Sequence, residues 1–160
     1  MKTEKQKKII RLLITFTVMA FIFIQSALNK ELSGAESGFI EELIKRITGT
    51  ESEFLGLLVR KCAHFTEFMI LGGCLFLNAC DYERDKSLDN IGMRREILAT
   101  FLIGTLYAVT DELHQIFVPG RACMATDVCI DAVGVLTGTF VVAFLLRNRF
   151  ETKDSPASED

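Results

Sequence analysis

The chain has 160 residues, 49% of them hydrophobic, and a formal net charge of −3. That length holds one soluble domain or a small membrane bundle. The charge says little about partners, and no long basic patch points to nucleic acid.

The clustering of the apolar residues decides between the two classes. Four stretches, Ile9–Leu28, Cys62–Cys80, Ile97–Phe117 and Val128–Leu146, approach the roughly 20 apolar residues a bilayer crossing needs. The first follows a basic start, MKTEKQKK, but it outruns the about 7–15 residues of a signal-peptide core and no clear small-x-small site follows. It reads as a retained helix. Gln25, Ser26 and Asn29 stand at its far end.

Between the first and second stretches, GFIEELIKRI places Phe39, Ile40, Leu43, Ile44 and Ile47 on one helical face, with Glu41, Glu42, Lys45 and Arg46 opposite. This spacing predicts an amphipathic helix, lying in the membrane interface or packed on the bundle end. A second apolar patch, Phe54–Val59, leads into span two. The polar tail TKDSPASED, with the rest of 151–160, reads as disordered.

Basic residues set the expected orientation. The N-terminal flank, the loop between spans two and three and the C-terminal tail carry twelve of the 18 Lys and Arg. Both termini are therefore expected in the cytoplasm, with 29–61 and the turn at 118–126 outside. The five cysteines form no CxxC pair and are odd in number, which favours free buried thiols.

The polar residues follow the same arithmetic. Arg60, His64, Glu67 and Leu71 share one helix face. So do Tyr107, Asp111, His114 and Gln115 on span three, and Asp127, Asp131, Gly134 and Gly138 on span four. With the expected topology, all sets fall in the outer leaflet. Glu67 lies roughly 9 Å below Lys61, Asp111 roughly 9 Å below Phe117, and Asp131 about 6 Å below Asp127. The inner halves are apolar and small, and GVLTG is a GxxxG pattern that permits close helix approach, as Gly72, Gly73 and Gly104 do. Ionised groups are costly in hydrocarbon and mark functional sites by default. Here both histidines of the chain fall in the cluster. A structural salt-bridge network is the plain alternative.

RKxAHFxE followed by YAxxDExHQxFVPGRxxxxxDVxxDxxG resembles the VanZ-like family of small multi-pass bacterial membrane proteins. The motifs run from Arg60 to Glu67 and from Tyr107 to Gly134. The resemblance implies an all-α membrane protein. Over 1–150 the expected fold is a bundle of four transmembrane helices with an extracytoplasmic amphipathic helix between spans one and two. It implies residence in the bacterial cytoplasmic membrane and a cell-envelope role. Through the family's association with teicoplanin, it also implies a contribution to glycopeptide resistance.

Three chemical readings stay open. In an envelope-lipid enzyme, His64 or His114 is the general base, oriented by a carboxylate such as Glu67 or Asp131, and Asp111 is a further catalytic candidate. Arg60, Lys61 and Arg121 hold a phosphate of a membrane lipid or a lipid-linked cell-wall precursor, with Gln25, Gln115 and Asp127 as further substrate-binding groups. In a non-catalytic binding protein, the same groups are recognition elements. In a metal protein, the two histidines and the carboxylates suit zinc or manganese, although DELH is not the HExxH arrangement. No cofactor is required by the sequence. A route across the bilayer is disfavoured, because the inner halves lack ionisable steps. Glu112 points about 100° from Asp111, and Asp127 also reads as a helix cap.

Overall fold

The computed structural model describes residues 3–27, 53–80, 90–118 and 123–151. The expected amphipathic helix, Arg121 in the span three–four turn, and the tail beyond 151 lie outside these residues. Four helices account for the chain described: α1 (Glu4–Ala27), α2 (Glu53–Ala79), α3 (Asn90–Gln115) and α4 (Ala125–Glu151). No strand occurs among the described residues.

Three of the helices contain segments long and apolar enough to cross a membrane: Lys5–Ala27, Gly56–Ala79 and Ala125–Arg147. α3 is of similar length but is not among them. Arg94, Arg95 and Glu96 at one end and Asp111, Glu112 and His114 at the other dilute its apolar middle. Each helix starts before the matching apolar stretch. α2 begins at Glu53 rather than Cys62, so Phe54–Val59, Arg60 and Lys61 belong to the same helix as His64. Backbone hydrogen bonding continues through polar residues that interrupt a hydropathy pattern.

The side chains are arranged inside out relative to a water-soluble bundle. Phe16, Leu106 and Phe144 are each more than 60% exposed, whereas Asp111, Glu112 and Asp131 are buried. So large an apolar surface is unstable in water and is suited to a hydrocarbon solvent. Threonines in this setting bond back to their own helix, as Thr139 Oγ1 does to the Val135 carbonyl at 2.8 Å.

Side-chain contacts give the register. Tyr107 on α3 donates from its hydroxyl to the Met19 carbonyl on α1 at 2.7 Å. Further along both helices, Phe23 of α1 lies against His114 of α3. α1 and α3 therefore run parallel. Asn78 Nδ2 of α2 donates to Thr15 Oγ1 of α1 at 2.8 Å, at the opposite end. α2 and α4 also run parallel, with Lys61 facing Asp127 and His64 facing Asp131. α2 packs against all three other helices. Ile22, Phe68, Leu71, Ala108 and Val135 supply one core cluster drawn from all four helices. A smaller cluster, Phe76, Cys80 and Ala143, fills the other end.

The α2–α4 pair is the closest in the bundle, and glycine makes it so. A Cβ on Gly138 would collide with the Met69 carbonyl, and one on Gly72 with the Val135 carbonyl. A Cβ on Gly134 would stand 2.6 Å from the Phe65 carbonyl oxygen. The GxxxG reading of Gly134 and Gly138 is borne out. Gly104 of α3 admits Val135 from the other side, where an added Cβ would come within 2.6 Å of Val135 Cγ1. The cysteines are all free, but only Cys80 is buried, while Cys62, Cys123 and Cys129 are exposed. The expectation of buried thiols therefore fails for those three. They stand on the outward faces of α2 and α4 and beside the α4 start, and not in the core.

Candidate functional site

The polar residues gather at one end of the bundle because of direction. α1 and α3 arrive there with their C-terminal turns, and α2 and α4 leave with their N-terminal turns. Successive turns of α2 and α4 then bring matched groups face to face. Lys61 Nζ pairs with Asp127 Oδ1, both side chains being about a quarter exposed. One turn deeper, His64 Nδ1 lies 3.8 Å from Asp131 Oδ2, and the Asp131 side chain is fully buried. This distance is an ion-pair approach and not a hydrogen bond. Neither Asp131 oxygen accepts a hydrogen bond.

Around this pair the charges are mostly negative. Glu67, one turn further along α2, and Asp111 of α3 lie within electrostatic reach of His64, as Asp131 does. Asp111 Oδ2 accepts from Gln115 Nε2 at 3.1 Å. Its other oxygen is buried and accepts no hydrogen bond. Buried polar atoms are normally satisfied, and one without a protein partner is explained by ordered water, a bound ion or ligand, strain or a catalytic role. Arg60 is half-buried on the His64 face of α2, and Gln25 is half-buried near the end of α1.

His114 stands apart from His64. Its ring stacks on Phe23 with centroids 4.4 Å apart, on the α1 side of α3, and its buried Nδ1 has no hydrogen-bond partner. The two imidazoles thus have different surroundings, one carboxylate-lined and one aromatic. Among the described residues, no group of three or more His, Cys, Asp or Glu is arranged to hold a metal ion.

Glu112 is the residue sequence reasoning left outside the site. It is 1% exposed, and its Oε2 accepts from the Met124 backbone N–H at 3.0 Å. Met124 immediately precedes α4, so Glu112 satisfies a free amide at a helix N-terminus from the last turn of another helix. A signal was present: an acid in the final turn of α3 opposes that helix's own dipole unless it is committed elsewhere. Asp127 lies in the first turn of α4, where its charge suits the dipole, and it also binds Lys61.

A family model described as VanZ/LLP1 matches residues 11–147. The chain belongs to the VanZ/LLP1 family. The match spans all four helices and every candidate site residue, Gln25 through Asp131. With its apolar spans, this VanZ/LLP1 member is a membrane protein. No curated protein and no solved structure matches the chain.

Proposed function

We propose that the polar end of the bundle is a head-group site for lipid-linked components of the bacterial cell envelope, open to the outer leaflet of the cytoplasmic membrane. In this reading α3 is a fourth membrane span. Leu98, Leu102, Ile103 and Leu106 on its outer surface are each more than half exposed, which suits contact with lipid. Both termini are cytoplasmic by the distribution of basic residues. A VanZ-like contribution to teicoplanin-type resistance follows if the site takes up an envelope amphiphile that such an antibiotic also engages.

The observation that carries the reading is the His64–Asp131 pair. An imidazole and a carboxylate are held 3.8 Å apart inside a bundle whose outer surface is apolar, and neither Asp131 oxygen has a donor. A purely structural ion pair would gain by closing that gap, because a buried pair repays its desolvation only with good geometry. In this reading His64 takes or gives a proton at a bound head group, with Asp131 orienting it. His114, which stands apart from His64 and stacks on Phe23, then borders the site on its α1 side.

The experiment is to incubate purified protein in detergent with labelled lipid precursors and follow both binding and turnover. His64→Ala is expected to abolish turnover, and His114→Ala to weaken binding. Binding that survives in both variants, with no turnover in the wild type, supports a non-catalytic role. The Lys61–Asp127 pair favours that second reading, since it already consumes a cation assigned to substrate.

A further inference from the structure

We infer that the polar end selects an amphiphile with a primary ammonium head group over one with a phosphate. This rests on the head-group reading above and names the ligand class for the same site.

Charge and hydrogen-bonding capacity both point that way. Three buried carboxylates, Asp111, Glu112 and Asp131, stand at this end of the bundle. Glu112 is committed to the Met124 amide, and Lys61 is committed to Asp127. Apart from His64 and Arg60, the remaining groups are rich in acceptors. Asp131 Oδ1, Asp131 Oδ2 and Asp111 Oδ1 are all buried, and none of them meets a donor. The Asp131 side chain is fully buried and faces His64, so its oxygens point into the cluster and not into solvent. Asp111 and Asp127 lie within electrostatic reach of Asp131.

A ligand that completes such a site must bring N–H donors and positive charge. A primary ammonium offers three donors and no acceptor. Its hydrogen bonds to carboxylates are charge-assisted and strong in a low-dielectric setting. A phosphate offers mainly further acceptors, brings no positive charge and is repelled by ionised carboxylates.

The test uses the full-length protein in maltoside micelles and three probes with one tail: dodecylammonium, dodecyltrimethylammonium and dodecyl phosphate. Dodecylammonium is expected to bind about tenfold or more tightly than either of the others. The trimethyl probe keeps the charge but has no N–H donor. Asp131→Asn and Asp111→Asn, which preserve side-chain size, are expected to erase the preference. The comparison among probes in the wild type stands even where a variant fails to fold. Equal binding of the two cationic probes overturns the inference, as does a preference that both Asn variants retain. Tighter binding of dodecyl phosphate that falls in His64→Ala also overturns it, while leaving the head-group site in place. Binding of none of the three overturns the inference and the head-group site together.

Discussion

Along the α2–α4 seam, the first two turns meet through charge and the next three through glycine. In the glycine half, backbone carbonyls of one helix lie where a Cβ of the other would be. At Gly72, Gly134 and Gly138 nothing can give without moving a helix. In the charged half, Lys61 with Asp127 and His64 with Asp131 face each other across the same two helices. The oxygens and the nitrogen of the His64–Asp131 pair are incompletely satisfied. The contrast separates the half that fixes the two helices from the half where the proposed site lies. The close-packed half supplies rigidity, and that rigidity allows the charged half to hold a buried acid without hydrogen-bond donors. Neighbouring positions on one helix face thus serve different ends, and substitutions should separate them.

The largest loss of stability is expected in the glycine half. Gly138→Ala should lower the unfolding free energy by about 3 kcal/mol, because the colliding Met69 carbonyl belongs to a helix backbone and cannot rotate away. Thermal or denaturant unfolding in detergent measures this. A loss below about 1 kcal/mol, typical of a surface change, would mean that the seam is looser than described.

Glu112 gives an intermediate effect at the border of the charged half. Glu112→Gln keeps an acceptor for the Met124 amide, and Glu112→Leu removes it. The Leu variant should be less stable than the Gln variant by about 1 kcal/mol, the usual net worth of a hydrogen bond. Equal stabilities would show that the α3 end does not fasten the α4 start.

The Lys61–Asp127 pair should matter least among the single ion pairs. Both partners are partly exposed, so Lys61→Met is expected to cost at most about 1 kcal/mol. A double-mutant cycle with Asp127→Asn isolates the pair. A coupling clearly above that range would move this pair from the rim into the structural frame.

Much of this contrast is legible in the sequence, for a physical reason. Helical periodicity puts residues three and four apart on one face, so spacing alone places Asp127, Asp131, Gly134 and Gly138 together. The same arithmetic places Arg60, His64 and Glu67 together. Which groups then meet depends on how each helix is rotated against its neighbours, and periodicity within one helix carries no information on that. His114 shares a face with Asp111 by spacing, yet it stacks on Phe23 of α1. Glu112 points away by the same spacing, yet it lies buried against the start of α4. Hydropathy misplaces the start of α2 because it reports apolarity and not backbone hydrogen bonding. α3 is the hardest case. The polar residues at its C-terminal end, Asp111, Glu112 and His114, are the ones that thin its apolar signal.

The most direct test of the account replaces the central pair and reads stability and binding together. His64→Leu with Asp131→Leu removes an incompletely satisfied buried pair in favour of apolar side chains, a change that is often neutral or stabilising. The double variant should unfold within about 1 kcal/mol of the wild type, or at higher denaturant, and should lose head-group binding. A double variant that loses about 3 kcal/mol or more, well beyond what replacing both partners of a buried pair by apolar residues usually costs, yet still binds the head group would contradict it. The charged half of the seam would then be a structural lock.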